Sequence, residues 1–347
     1  RTMWATYLFA RVHVSPMKKF FKIIGVLLLV LVVVVVGAIT YVTQALPNID
    51  APADLHVASS PERVARGEYL ANHVCVCMDC HSTRDWNTFS GPPVPGTLGK
   101  GGEVFDRTMQ FPGRFVSRNI TPYGIGKWSD GEIYRAITSG VSRDGHPFFP
   151  VMPYPYYNTM DNEDVYSIIA YLRSLPVIES EPEPSNADFP VSVILHTIPK
   201  PAAPVQRPDP GDKLAYGAYV TNAAGCCECH TKMVNGERVG EFFAGGFEFS
   251  FPNGAVLRSP NITPSVKGGI GTWTREQFIS RFRSYSDSSY VPKKIDLANG
   301  DFQTVMPWSM YTGMTEQDLG AIYDHLFSLE PVEGSIERWT EPVAKVN

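Results

Sequence analysis

The sequence has no excess of basic residues. Its 347 residues include 30 lysines and arginines against 35 aspartates and glutamates, which gives a formal net charge of −5. Because phosphate binding needs a basic surface, this composition argues against a nucleic-acid partner. Charged residues make up only 19% of the chain, whereas hydrophobic residues make up 44%. That balance excludes a disordered protein, and the length suits two folded domains with linkers.

Alternation of apolar and polar residues, the mark of a half-buried strand, is almost absent. Helix-capping patterns are present instead. Ser129 with Glu132, and Thr274 with Gln277, form capping boxes that open a helix at equivalent places in the two halves of the chain. We therefore predict an all-α fold.

Charge is also missing near the N-terminus, where the apolar run from Ile23 to Ile39 contains no ionisable residue. Three lysines precede the run, which is long enough to cross a membrane. We expect a single-pass anchor over residues 18–42, with the N-terminus in the cytoplasm and the rest of the chain outside. A signal peptide cleaved after Val36-Gly37-Ala38 is the alternative. Met17 followed by lysines is typical of a natural start, so we interpret residues 1–17 as an upstream extension.

The pentapeptide Cys-x-x-Cys-His occurs twice, at residues 77–81 and 226–230. Two thiols on one helical turn can add to the two vinyl groups of one haem, and the next residue places an imidazole under the iron. A zinc site or a redox dithiol shares the Cys-x-x-Cys spacing but does not need the histidine. We therefore predict two covalently bound haem c groups. Their attachment residues would be the four thioether cysteines and two proximal histidines, namely Cys77, Cys80, Cys226, Cys229, His81 and His230.

The chain contains one unit used twice, with an offset near 150 residues. Asn119-Ile120-Thr121-Pro122 matches Asn261-Ile262-Thr263-Pro264, and Met152-Pro153-Tyr154 matches Met306-Pro307-Trp308. The stretch between the units is Pro-rich and acidic at its start, which is typical of an extended linker. The predicted organisation is the anchor, a first domain at 61–178, a linker at 179–212, a second domain at 213–332 and a tail at 333–347.

The sixth ligand of each iron decides whether the centre transfers electrons or binds a small molecule, because a filled position blocks access. Only Met152 with Met306, and Met160 with Met314, occupy equivalent positions in both units. The second pair precedes a helix cap, where an apolar residue packs as a hydrophobic staple. We therefore predict Met152 and Met306 as distal ligands, against the alternatives of ordinary core methionines and, for the first haem, His146. Such ligation predicts low-spin centres of high potential and no catalysis at the iron.

Four further residues are candidates for contacts with the haem. Arg118 and Arg258, just before the Asn-Ile-Thr-Pro segments, are candidates for pairing with propionates, with solvent-exposed side chains as the alternative. Trp128 and Trp273 are candidates for packing on the macrocycle, with a core role as the alternative.

Two cysteines, Cys75 and Cys227, belong to neither Cys-x-x-Cys pair, although each lies beside or within a haem motif. The outer face of the membrane is oxidising, so an unpaired thiol there is unusual. We consider a disulfide between Cys75 and Cys227, which would hold the two attachment helices together, with two buried free thiols as the alternative.

The chain also contains Gly-Ile-Gly-x-Trp at 124–128 and Arg143-Asp144-Gly145. Together with the motifs described above, these make it resemble membrane-anchored dihaem class I cytochromes c. It is similar to the cytochrome c subunits of bacterial periplasmic dehydrogenases over about residues 61–332. The resemblance implies two tandem cytochrome c domains, with Met152 and Met306 as distal ligands, on the periplasmic side of the inner membrane. It also implies transfer of single electrons from a dehydrogenase or quinol-oxidising complex toward a terminal oxidase or soluble carrier. Those subunits often carry three haems, whereas this chain has two motifs.

Two other functions compete with electron transfer. A dihaem enzyme of the peroxidase or thiosulfate-oxidising type would need an iron with an open or labile site, which low-spin His/Met spectra would exclude. A structural haem subunit of a respiratory supercomplex would co-purify with an oxidase or a quinol complex.

Overall fold

The computed structural model describes residues 16–234, 236–286 and 289–342. The chain divides into two compact units, one up to Leu46 and one from Pro47 onward. The predicted upstream extension lies outside the described residues, apart from its last two positions.

The first unit is a helix, α1 (Pro16–Ala45), of 30 residues. Its most apolar 18-residue window, within Met17–Ala45, has a mean hydropathy of 3.2, and none of that window is buried. A helix of this length measures about 45 Å, more than the hydrocarbon core of a bilayer. The predicted apolar helix is confirmed, and by length and composition it fits a membrane anchor or a signal sequence.

The second unit repeats one set of helices. The first half contains α2 (Pro61–Tyr69), α3 (Cys77–Cys80), α4 (Pro122–Ile125), α5 (Asp130–Ser139), α6 (Tyr154–Tyr157) and α7 (Asn162–Ser174). After a short helix, α8 (Val191–Ile194), the second half contains α9 (Lys213–Ala223), α10 (Cys226–Cys229), α11 (Arg275–Arg283), α12 (Trp308–Tyr311) and α13 (Glu316–Phe327). Helix α2 continues through a π-helical turn at Leu70–Val74. We refer to residues 61–178 and 213–332 as the first and second halves.

The two predicted capping boxes are confirmed. Ser129 and Glu132 exchange side-chain to backbone hydrogen bonds at the start of α5, and Thr274 and Gln277 do the same at the start of α11. These bonds satisfy N–H groups that a helix leaves without partners at its first turn. Both helices therefore begin where the sequence places them.

The all-α prediction is wrong in part, because helices make up 41% of the structure and small sheets accompany them. All the strands pair antiparallel. They are β1 (Val104–Phe105), β2 (Gly113–Val116), β3 (Asn186–Ala187), β4 (Met233–Val234), β5 (Glu237–Arg238), β6 (Glu248–Ser250), β7 (Val256–Arg258) and β8 (Trp339–Thr340). The sheets run β1-β2-β3, β4-β5 and β6-β7-β8. Strands of two to four residues are too short to leave an alternating pattern in the sequence.

The predicted linker lies along the first half. Its strand β3 pairs with β2, and the side-chain amide of Asn158 donates to the carbonyl of Pro201 at 2.8 Å. The backbone N–H of Arg207 donates to Asp161 at 2.7 Å. The predicted tail, described as far as Pro342, contributes β8 to the last sheet.

The first and last helices of each half cross at a glycine. A methyl group on Gly67 of α2 would lie 1.8 Å from the carbonyl oxygen of Ser167 in α7. A methyl group on Gly217 of α9 would lie 2.1 Å from the carbonyl oxygen of Ala321 in α13. Only glycine permits this approach, so both halves need it at the same place.

The two halves share one hydrophobic core and exchange polar contacts across it. The Tyr219 hydroxyl of the second half donates to buried Asp164 of the first at 2.7 Å. Reciprocally, the Tyr69 hydroxyl of the first half donates to buried Asp318 of the second. Burial and the adjacent carboxylate raise the pKa of both tyrosines, which keeps them protonated as donors.

A second reciprocal pair flanks the first. His73 Nδ1 donates to the backbone carbonyl of Met310 at 2.8 Å, and the amide of Asn222 donates to the carbonyl of Tyr156 at 2.9 Å. In both cases a first helix of one half binds the segment that follows the Met-Pro turn of the other. The halves are therefore related by an approximate two-fold arrangement of their contacts.

We predict that Tyr69→Phe lowers the free energy of unfolding by about 2 kcal/mol, because Asp318 stays buried and loses a hydrogen bond to a charged group. Urea unfolding of the full-length protein measures the change. Tyr134→Phe is the matched control, since its hydroxyl bonds neutral Asn162 within the first half at 2.7 Å, and should cost about 1 kcal/mol. If both variants lost the same free energy of unfolding, the bond between Tyr69 and Asp318 would contribute no more than a bond within one half, and the prediction would be wrong.

Candidate haem sites

The two haem motifs form matching one-turn helices, α3 and α10. Each is preceded by a residue in the left-handed region, Val76 with φ of 45° and Gly225 with φ of 64°. For a β-branched valine this conformation costs about 1–3 kcal/mol and persists only where the surroundings impose it. The turn ends the preceding helix and places both thiols of each motif on one side of a single helical turn.

The two histidines have the same hydrogen bond. His81 Nδ1 lies 2.7 Å from the carbonyl oxygen of Arg118, and His230 Nδ1 lies 2.8 Å from the carbonyl oxygen of Pro260. A carbonyl only accepts, so Nδ1 carries the proton and Nε2 keeps its lone pair. Burial also lowers the pKa of both imidazoles, which favours the neutral form that binds a metal. Both histidines are thus oriented for iron coordination through Nε2.

The motif cysteines are suited to thioether bonds rather than to a thiolate metal site. Burial raises the pKa of Cys77, Cys80, Cys226 and Cys229 to about 12, so all four are neutral thiols at pH 7. Structural zinc requires thiolates and four converging ligands. Within residues 16–234, 236–286 and 289–342, no group of three or more His, Cys, Asp and Glu side chains converges to hold a metal ion. The donor set fits covalent haem better than zinc.

An acidic residue lies inside each motif. Asp79 is buried and pairs with Arg84 at 3.0 Å, and burial raises its pKa to about 6 despite that partner. Glu228 of the other motif faces Tyr156 of the first half, and burial raises its pKa as well. The two attachment helices therefore differ in their electrostatics, with an arginine beside only the first of these two carboxylates.

The predicted distal methionines lie in matching turns. The backbone N–H of Tyr154 donates to the carbonyl of Met152, and that of Trp308 donates to the carbonyl of Met306, both at 2.8 Å. Both methionines are half-buried and stand directly before a short helix, α6 or α12.

The rival candidates have other surroundings. Met160 and Met314 are 2% and 1% exposed and belong to the shared core. His146 is exposed, and its backbone N–H donates to the Ser142 hydroxyl in a tight turn. The assignment of Met152 and Met306 to the irons stays a prediction that these placements favour.

The Asn-Ile-Thr-Pro segments support the histidines, a role that the sequence did not reveal. The side-chain oxygen of Asn119 accepts two bonds from Thr121, and its amide donates to the carbonyl of Ile178 at 2.8 Å. Asn261 does the same with Thr263 and Val332. Each segment thus ties the carbonyl beside the histidine to the chain that follows the last helix of its half. The sequence feature that could have indicated this role is the occurrence of Asn-Ile-Thr-Pro in both halves.

Arg118 and Arg258, the two candidates for propionates, do not occupy equivalent positions. The equivalent residues are Ser117 and Ser259, which make the same backbone bonds, so Arg118 corresponds to Pro260. The Arg258 guanidinium pairs with Glu248 at 2.7 Å and donates to Thr340 at 2.8 Å. Arg118 has an exposed side chain. Arg118 is therefore the better candidate for a propionate.

Trp128 and Trp273 occupy equivalent places at the edge of the shared core. The carbonyl of Trp128 accepts from the Arg173 guanidinium, and that of Trp273 accepts from the Tyr323 hydroxyl at 2.9 Å. Both rings are half-buried, as either a haem contact or a core role requires.

The disulfide between Cys75 and Cys227 is not formed in this structure, where both are free thiols. Cys75 is buried, with its sulfur 3.8 Å from that of Met160, whereas the half-buried sulfur of Cys227 lies 3.3 Å from the Thr231 hydroxyl. Each thiol thus has a partner within its own half. Burial raises the pKa of both thiols, which lowers the fraction present as reactive thiolate.

The chain is similar to several cytochrome subunits. It is 27% identical over 304 residues to the cytochrome c subunit of the quinone alcohol dehydrogenase of Gluconacetobacter polyoxogenes, which covers 82% of this chain and 59% of that protein. It is 30% identical over 257 residues to the fructose dehydrogenase cytochrome subunit of Gluconobacter japonicus, covering 70% and 48%. A diheme cytochrome c-type protein of Cereibacter sphaeroides is 30% identical over 205 residues, covering 54% and 64%.

No family model matches the chain. The chain spans about half to three fifths of the length of the dehydrogenase subunits described above. The resemblance carried by its motifs is nevertheless confirmed, because the homologues of this chain include cytochrome c subunits of quinone alcohol, fructose and gluconate dehydrogenases and a diheme cytochrome c.

Proposed function

We propose that this chain carries two haem c groups and transfers single electrons as the cytochrome subunit of a dehydrogenase complex. The observation that carries the proposal is the repeated bond from a histidine Nδ1 to a backbone carbonyl, which leaves Nε2 of His81 and His230 free to coordinate iron. That bond occurs in both halves, beside two cysteines on one helical turn. The cytochrome c relatives support the same function.

Each half supplies a complete set of haem-binding residues in this proposal. Cys77 and Cys80, or Cys226 and Cys229, would form the thioether bonds. His81 and Met152, or His230 and Met306, would be the axial ligands. Bound haem supplies a one-electron couple between ferric and ferrous iron, and a thioether ligand raises its potential. The protein fixes the imidazole tautomer, holds the methionine in a Pro-stiffened turn and fills the sixth position against other ligands.

The electron route follows from the relatives as part of the proposal. Their names make them subunits of alcohol, fructose and gluconate dehydrogenases, so the donor would be a dehydrogenase or a quinol-oxidising complex. The acceptor would be a terminal oxidase or a soluble carrier. Helix α1 would tether the chain to the inner membrane, with residues 61–332 on the periplasmic side. No substrate chemistry takes place on the chain in this proposal.

We predict that Met152→Ala and Met306→Ala each remove about half of the near-infrared sulfur-to-iron band, because each removes one of two thioether ligands. Absorption spectroscopy of the oxidised protein measures the band. Met160→Leu, a volume-conserving change in the core, is the control and should leave the band intact. A full band in either alanine variant would reject that methionine as a ligand.

We predict two covalent haems and two free thiols per chain. Pyridine haemochrome analysis should give the haem count, and iodoacetamide without reductant should label the denatured chain twice, at Cys75 and Cys227. In the native protein Cys227 should react first, since Cys75 is 3% exposed. Cys75→Ser should lower the count to one. No labelling of the denatured chain would show a disulfide instead, and labelling at Cys77 or Cys226 would show that haem is not attached there.

We predict that α1 is retained as an anchor. The native protein should stay in the membrane fraction after an alkaline carbonate wash, and peptide mapping should recover residues 18–38, because an apolar helix of this length partitions into the bilayer. A soluble protein whose first residue is Ile39 would show that α1 is a signal sequence.

A further inference from the structure

A loop of the first half lies against the segment that leads to Met306 in the second half. The backbone N–H of Phe89 donates to the carbonyl of Lys293 at 2.8 Å, and the N–H of Ile295 donates to the carbonyl of Asn87 at 2.9 Å. These bonds join residues about two hundred positions apart in the sequence. The loop and the segment therefore form one structure across the boundary between the halves.

Gln303, three residues before Met306, fastens this contact. It has no exposed surface. Its side-chain oxygen accepts from the N–H of Ser90 at 2.8 Å, and its amide donates to the carbonyls of Trp86 at 3.1 Å and Thr88 at 3.0 Å. A buried amide with its polar atoms satisfied in this way resists displacement, since each broken bond would leave a buried group without a partner.

Ser90 connects this contact to the methionine turn. Its hydroxyl donates to the carbonyl of Met306 at 2.6 Å and accepts from the N–H of Trp308 at 3.1 Å. The hydroxyl thus bonds both ends of the Met306-Pro307-Trp308 turn, the segment that would present the Met306 sulfur to the second haem. It does so from the first half of the chain.

The backbone of Ser90 is held in an unfavourable conformation. Its φ is 69°, in the left-handed region, and the residue is 2% exposed. The guanidinium of Arg84 donates to the carbonyls of Ser90 at 2.9 Å and Gly91 at 2.7 Å, which fixes the turn from the other side. A non-glycine residue stays in this region where its surroundings determine it, and such strain tends to occur at functional positions.

The corresponding turn of the first half has no such brace among the residues that the structure describes. The carbonyl of Met152 accepts from the N–H of Tyr154 at 2.8 Å, and no side chain of the second half bonds it. The approximate symmetry of the two halves is therefore broken at the distal turns. Among the described residues, a side chain of the opposite half bonds the Met306 turn and none bonds the Met152 turn.

We propose that Ser90 is a positioning residue for the second haem, because its hydroxyl holds the Met306 turn from the first half. The inference rests on the proposed function, in which Met306 is a distal ligand. Its physical content is that opening of the Met306 turn requires the loss of the Ser90 bonds, whereas opening of the Met152 turn does not. Ligation at the second iron is thus tied to the folding of the first half.

The test measures how readily imidazole displaces each methionine in the full-length oxidised protein. Imidazole binds the iron only after the methionine leaves, so its apparent affinity reports how easily the turn opens. The titration should show two steps. Met152→Ala and Met306→Ala remove the competing sulfur at one site each, which assigns each step to its haem.

We expect Ser90→Ala to tighten imidazole binding at the Met306 step alone, by about fivefold to twentyfold, because the variant loses both bonds of the hydroxyl and the loss of one neutral hydrogen bond implies about a factor of five. Ser90→Gly should tighten imidazole binding at the same step. Glycine adopts the left-handed backbone at this position without strain, so this variant should fold even if Ser90→Ala does not. Ser167→Ala is the matched control. It removes a buried hydroxyl of the first half that bonds the carbonyl of Glu163, and both steps should stay in place.

The outcomes separate the inference from the proposed function. If both Ser90 variants leave the Met306 step unchanged while Met306→Ala shifts it, the positioning role is overturned and the ligand assignment stands. If the Ser90 variants shift both steps equally, the effect is a general loosening and the positioning role is again overturned. If Met306→Ala shifts no step and keeps the near-infrared band, the ligand assignment fails and the inference fails with it.

Discussion

The hydrogen bond from a histidine Nδ1 to a backbone carbonyl is the contact on which each proposed haem site depends. It decides which nitrogen holds the lone pair and in which plane the imidazole lies. The carbonyl belongs to the residue before Asn119 or Asn261, and each asparagine is bonded to the chain beyond the last helix of its half. A shift of α7 or α13 would therefore move the carbonyl and, with it, the imidazole.

The contacts between the halves extend this support to the whole second unit. Tyr69 and Tyr219 exchange bonds with buried aspartates of the opposite half, within an apolar core that both halves share. A buried carboxylate without its partners would cost more than the bond contributes, so these pairs fix the relative position of the halves more than they stabilise the fold. In the proposed function, two haem sites held by one shared core would suit rapid electron transfer between them. The Ser90 contact is a difference between the halves, because it supports the Met306 turn and has no counterpart described at the Met152 turn.

Features with a local cause were predicted correctly from the sequence. Capping boxes at Ser129 and Thr274 need partners only three residues away, and the apolar composition of α1 needs no partner within the protein. The all-α prediction failed where pairing is distant or strands are very short. Val256 pairs with Thr340, for example, and no pattern in either segment records the other. Arg118 and Arg258 were grouped by their nearness to the Asn-Ile-Thr-Pro segments, although Arg118 stands one residue before Asn119 and Arg258 three residues before Asn261.

The sequence alone identified the candidate residues for haem attachment and iron ligation. Covalent attachment of haem needs two cysteines and a histidine within five residues, and duplication of the unit singled out the methionines at matching positions. The folded structure alone shows how the two halves are joined, and that a residue of the first half bonds the Met306 turn of the second. Ser90 reaches Met306 across 216 residues, and Tyr69 reaches Asp318 across 249. Side-chain bonds over such separations arise from packing of the whole chain, so local sequence patterns carry no record of them.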